Sequence, residues 1–117
     1  MTGYIEAGRV SGIGESSLTR VESGGRTFLL ARTGGWFYAT DLLCPHLQAD
    51  LSKGTLHGTI LTCPMHNPAF DLRDGHVVRW TNLAGIVLTS DKKTHPPRPL
   101  KCYPVRVDGD RILIDIS

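Results

Sequence analysis

The sequence predicts an all-β protein, and three observations predict it. Apolar runs are short, roughly five to eight residues, and glycine or Asp-Gly steps separate them. No window keeps an apolar 3.6-residue period long enough for a helix. The pairs Gly24-Gly25, Asp74-Gly75 and Asp108-Gly109 supply the positive φ angles that tight hairpin turns need. Taken in order, strands are expected at 4–10, 18–23, 26–32, 36–41, 59–63, 69–72, 76–80, 103–108 and 111–116. The second and third flank Gly24-Gly25, and the sixth and seventh flank Asp74-Gly75. The last two flank Asp108-Gly109, and the final strand alternates Ile112, Ile114 and Ile116. Consecutive strands should therefore pair antiparallel. The stretch 81–101 breaks the rhythm. It runs from an apolar patch at 83–88 through Asp91, Lys92 and Lys93 to Pro96, Pro97 and Pro99. Prolines forbid central pairing there, so it is expected as a long loop with one short edge strand around Ile86.

A chain of 117 residues predicts a single domain, 1–117. The net charge is +2, and no basic cluster exceeds the pair Lys92 and Lys93, so neither nucleic acid nor a membrane surface is an expected partner. The first twenty residues hold Glu6, Arg9, Glu15 and four glycines and contain no apolar stretch of the signal-peptide kind. The longest hydrophobic candidate, 80–90, includes Asn82 and two threonines and is far short of the ~20 residues that span a bilayer. A cytoplasmic location is expected. Three cysteines, Cys44, Cys63 and Cys102, are an odd number that argues against a disulfide framework and towards metal or redox chemistry.

Two segments repeat one chemical idea. Cys44-Pro45-His46 and Cys63-Pro64-Met65-His66 each offer a thiolate and an imidazole, with sixteen residues between His46 and Cys63. A proline after each cysteine stiffens the loop and removes a backbone donor. Singly, a buried cysteine is a small hydrophobe and a lone histidine an ordinary surface side chain. Jointly, two such pairs in loops of an all-β domain predict a metal site made of Cys44, His46, Cys63 and His66. A structural zinc would fit four such ligands, although its usual spacing pairs Cys with Cys and His with His. Two irons bridged by sulfides suit the mixed loops, since each loop then gives one ligand to each iron.

On these residues the chain resembles the Rieske [2Fe-2S] proteins, whose motif is C-x-H, a spacer near this length, then C-x-x-H. The flanks 44–54 and 63–75 look like the two cluster loops of Rieske ferredoxins, and Tyr103-Pro104-Val105-Arg106-Val107 resembles their penultimate strand. The likeness covers nearly the whole chain. It implies an antiparallel β-sandwich with a small cluster-binding subdomain at about 43–74, and one [2Fe-2S] cluster per chain. Cys44 and Cys63 would then hold the inner iron, and His46 and His66 the outer, solvent-facing one. It further implies a one-electron carrier, a ferredoxin between a flavoprotein reductase and a terminal oxygenase or similar oxidoreductase. Such a chain is an electron-transfer component of a multicomponent system rather than an enzyme alone. No dinucleotide fingerprint and no mononuclear-iron constellation is present in the sequence, so donor and acceptor proteins are expected. The alternatives are a structural zinc interaction module and a small Rieske-like subunit of a larger reductase complex.

Two departures from the family pattern stand out. Asn67 follows the second histidine where glycine is common, and asparagine enters the left-handed region more readily than most residues. The interval from Phe70 to Tyr103 is longer than the family leads one to expect, so 81–101 has no counterpart. High-potential members carry disulfide cysteines at positions matching Ala49 and Met65, and a serine and a tyrosine at positions matching Pro68 and Phe70. This chain has none of these groups, which implies a potential in the lower half of the Rieske range. Cys102 is expected as a partly buried strand-end thiol. His57, His76 and His95 lack a ligand partner at motif spacing, and Phe28, Trp36, Phe37 and Phe70 are expected to pack in the core.

Overall fold

A computed structural model describes residues 3–45, 48–65, 67–80 and 98–116. The strands are β1 (Tyr4–Arg9), β2 (Ser17–Ser23), β3 (Arg26–Thr33), β4 (Trp36–Asp41), β5 (Thr55–His57), β6 (Ile60–Thr62), β7 (Ala69–Asp71), β8 (Val77–Arg79), β9 (Cys102–Tyr103), β10 (Val105–Asp108) and β11 (Arg111–Asp115). They form three antiparallel sheets, ordered β2-β3-β4-β9, β1-β11-β10 and β5-β6-β7-β8. Two short 3-10 turns, Val10–Gly12 and Leu51–Lys53, are the helical elements among the described residues. No helix among them is long and apolar enough to cross a membrane.

β3 explains the layering. Phe28, Leu29, Leu30 and Ala31 are all fully buried, so the strand has no solvent face and does not alternate. Phe28 and Leu30 pack into one core with Ala39, Tyr103, Ile112 and Ile114. Leu29 and Ala31 face a second core with Leu51, Leu61, Phe70 and Trp80. The middle sheet thus lies between the other two, and one strand anchors both cores. Burying each of these large side chains stabilises the fold by about 2 kcal/mol. The expected two-residue turn at Gly24-Gly25 is present, with Ser23 facing Arg26 and both glycines at positive φ (60° and 76°).

Four details differ from the sequence reading. The strand expected at 103–108 is two strands, because Pro104 has no N–H to pair. The chain passes there from β9, beside β4, to β10, beside β11, and the Pro104 carbonyl accepts from Asp115 at 2.9 Å. β5 has no apolar run to announce it and pairs with β6 through the Gly58-Thr59 turn. Asp74-Gly75 belongs to a longer connection, 72–76, rather than a two-residue turn. Trp36 is 71% exposed at the tip of the β3–β4 hairpin and is not a core residue; Phe28 and Phe70 are. The edge strand expected around Ile86 and the residues up to Pro97 lie outside the described residues. Within 98–101, Leu100 is buried and donates its N–H to Gly75 O at 2.8 Å.

Candidate metal centre

The first cysteine loop leaves the end of β4. Leu42 O accepts from Leu51 N–H at 2.9 Å, Leu43 bridges to Asp50, and Cys44 N–H donates to Ala49 O at 2.9 Å. Gln48 N–H donates back to Cys44 O at 2.7 Å, which closes a tight loop and puts Gln48 at φ 57°. Asp50 caps the following 3-10 turn, accepting from Ser52 N–H (2.9 Å) and Ser52 Oγ (2.6 Å). The Ser52 hydroxyl holds the Asp50 carboxyl below its ordinary range. The second cysteine loop connects β6 to β7, closed by Cys63 N–H on Pro68 O at 2.8 Å, with Asn67 at φ 54°. Asparagine at this point adopts the left-handed conformation that the sequence led us to expect.

Gly54 docks the first loop on the second. A Cβ there would lie 2.3 Å from the Thr62 carbonyl oxygen, so the backbone after the Leu51–Lys53 turn rests directly on the end of β6. This contact brings the two cysteines together. Cys44 is 0% and Cys63 1% exposed, and both belong to the core that holds Leu42, Leu51, Phe70 and Trp80. Phe70 and Trp80 meet edge to face, with centroids 6.4 Å apart. On these loops Leu43, Gln48, Pro64 and Met65 are exposed, while Pro45 and Asn67, which adjoin the histidine positions, are half-buried. His46 and His66 themselves lie outside the described residues.

The donor chemistry fits an iron-sulfur group. The Cys63 and Cys44 side chains are hydrogen-bonded to each other, and this contact, followed by burial, pushes the Cys63 thiol far above its ordinary range. Two buried sulfurs in contact cannot both ionise in a neutral surrounding; a bound cationic centre would invert that preference, and the pair could then serve as thiolate ligands. The Met65 N–H already donates to the Cys63 sulfur. No cysteine among the described residues is in a disulfide.

Cys102 is apart from this pair. It opens β9, half-buried, with its single S–H within reach of Leu72 O (3.6 Å) and Leu100 O (3.7 Å) as acceptors, and burial pushes its pKa up to about 11. It is the strand-end thiol expected. His57 is exposed in β5, and His76 is exposed and paired with Asp74 at 2.6 Å; His95 is outside the described residues. Sequence reasoning missed Gly54, the Asp50 cap, and two arginines that reach the loops. Arg98 donates to Pro45 O at 2.6 Å and Arg79 to Asn67 O at 3.0 Å. A cap is visible in the order Asp-Leu-Ser, but neither arginine has a local signal, since their partners are far away in the chain.

Comparison with known proteins agrees with this geometry. Residues 3–104 match the family described as the Rieske [2Fe-2S] domain. The ferredoxin component of a naphthalene 1,2-dioxygenase system from Pseudomonas aeruginosa is 32% identical over 97% of this chain and 96% of its own length. The solved ferredoxin of carbazole 1,9a-dioxygenase from Nocardioides aromaticivorans IC177 superposes with a TM-score of 0.77 at 25% identity, covering 97% of each chain. A chain in a complex of reduced oxygenase and oxidized ferredoxin in carbazole 1,9a-dioxygenase gives 0.75 at 26% identity, over 98% of this chain and 94% of that one. Paired cysteine loops on a three-sheet antiparallel frame, matched over nearly the full length, place this chain in the Rieske [2Fe-2S] family.

Proposed function

We propose that this chain is a one-electron carrier whose [2Fe-2S] cluster is held by Cys44 and Cys63 on the inner iron and by His46 and His66 on the outer one. One observation carries the ligand assignment. The two cysteines lie side by side, fully buried, at the base of two closed loops on which Leu43, Gln48, Pro64 and Met65 are exposed. When bound, the cluster accepts and gives up a single electron. The chain's own part is to fix the ligands and to shield the sulfur side with Leu42, Leu51, Phe70 and Trp80. The exposed Leu43, Gln48, Pro64 and Met65 on these loops leave a surface that a partner can approach. The cluster-binding subdomain is the unit at about 43–74, set on the rest of a single domain spanning 1–117.

The electron donor is a reductase and the acceptor a terminal oxygenase. The similarity to ferredoxin components of dioxygenase systems, and to a chain solved together with an oxygenase, supports this reading. Its place of work is the cytoplasm.

Anaerobically purified protein is expected to contain iron and acid-labile sulfide in equal amounts and to absorb visible light. On reduction it should show the electron paramagnetic resonance signal of a mixed cysteine-histidine cluster. Cys44→Ser, Cys63→Ser, His46→Ala and His66→Ala should each lose it. Colourless protein carrying stoichiometric zinc, or retention of the signal in either histidine variant, would overturn the assignment.

A further inference from the structure

We propose that Arg79 and Arg98 are positioning residues for the metal centre, each holding one histidine-bearing loop through a backbone carbonyl beside the histidine. The inference rests on the reading that His46 and His66 are ligands. Arg98 Nη2 donates to the Pro45 carbonyl at 2.6 Å. That carbonyl belongs to the peptide group that precedes His46, so the bond restrains the chain where it enters that residue. Arg79 Nε donates to the Asn67 carbonyl at 3.0 Å. Asn67 follows His66 directly and sits at φ 54°, in the left-handed region that asparagine adopts more readily than most residues.

The fold takes particular steps to aim Arg79. β8 pairs with β7 so that Val77 faces Phe70, and regular pairing would then set Val78 opposite Ala69. Instead the register shifts by one residue and Arg79 faces Ala69, two residues from Asn67. A bulge of this kind re-aims a side chain. Arg98 reaches the other loop from the segment that leads into β9. Backbone bonds close the two loops at their bases, Cys44 N–H on Ala49 O and Cys63 N–H on Pro68 O. The guanidinium groups add a second hold inside each closed loop. Both loops are secured in the same way, from opposite ends of the sequence interval 81–97.

A guanidinium does this better than an ammonium, because its planar fork fixes direction as well as charge. Its permanent positive charge also favours the state that carries the extra electron. The two effects separate on substitution: lysine keeps the charge and loses the fork, and glutamine loses the charge.

The test uses cluster-loaded protein with R79K, R79Q, R98K and R98Q. R20Q, at an exposed arginine of β2 beside Glu22, serves as the control. Three quantities are read: the paramagnetic resonance line shape of the reduced protein, the rate of iron release to a chelator, and the potential. All four variants should broaden the signal and release iron about three- to tenfold faster, the loss expected when a charge-assisted hydrogen bond goes. The glutamine variants should also lower the potential, the lysine variants should leave it near the parent value, and R20Q should change none of the three. An arginine whose lysine variant matches the parent in line shape and release rate is not a positioning residue. A parent protein that lacks the reduced-state signal overturns the ligand reading and this inference together; a normal parent signal with unchanged variants overturns this inference alone.

Discussion

Asp71 is a carboxylate with 1% of its surface exposed, and its neighbours hold it there as an anion. Its oxygens accept from Arg73 Nη2 (2.6 Å), Arg73 Nε (3.0 and 3.1 Å), the Arg73 N–H (3.0 Å) and the Thr59 side chain. The Arg73 hydrogen bonds come first in holding the carboxyl well below its ordinary value of 3.8. Because the Arg73 side chain is 67% exposed, water screens the charge attraction, and the hydrogen bonds carry most of the benefit. Asp71→Asn should therefore cost about 2 kcal/mol at neutral pH, measured by denaturant unfolding. The sign with pH follows from the depressed value in the folded state. The carboxylate stabilises fully above the unfolded-state pKa, and its contribution fades as pH falls below about 4. The gap between parent and variant should shrink from pH 7 to pH 3, and a constant gap would show that the charge of Asp71 is not what stabilises.

At the scale of elements, Gly75 joins the β7–β8 connection to the segment entering β9. Its φ is +83°, and a Cβ would lie 1.9 Å from the Leu100 carbonyl oxygen and 3.1 Å from Cys102 Sγ. Gly25, at φ +76°, has nothing within 4 Å. Gly25→Ala should cost only the conformational penalty, about 1 kcal/mol, whereas Gly75→Ala should cost about 3 kcal/mol or more because backbone must also move. Equal losses in denaturant unfolding would mean that 98–101 yields easily. The same contrast shows why some elements were legible in the sequence and others were not. Hairpins around Gly24-Gly25 and Asp108-Gly109 are local, so composition reveals them. β5 is three residues, Thr-Leu-His, held by its neighbour β6, and the β9–β10 break is made by two different sheets claiming residues on either side of Pro104. Trp36 reads as core by type, yet the Gly34-Gly35 turn carries it outward. Local pattern does not encode those outcomes.

For the whole molecule, what the sequence made legible was the pairing of the two cysteine loops, because ligand chemistry demands residue types at fixed spacing, and Cys44 and Cys63 do meet in one core. The holding groups, Gly54, Arg79 and Arg98, act across the chain and appear only once the three sheets are assembled. β3 ties those sheets together, so the loops stand on a base packed on both faces, which is what a carrier needs to change charge without rearranging. The side chains of that base predict a low potential. Phe70, fully buried and packed edge to face on Trp80, has no side-chain donor at the position where the family resemblance implies a tyrosine in high-potential members. Pro68 has no N–H, and its carbonyl is taken by Cys63 N–H. Ala49 and Met65 cannot cross-link the loops. The Met65 N–H on the Cys63 sulfur remains, but fewer donors leave the added electron less stabilised. Voltammetry at neutral pH should place the couple in the lower half of the roughly −150 to +300 mV Rieske range. Phe70→Tyr should raise it by on the order of 50 mV if one hydrogen bond of about 1 kcal/mol favours the reduced state. A parent potential near the positive end, or a Phe70→Tyr variant that folds and binds the cluster with its potential unmoved, would show that donors at this position do not govern the couple.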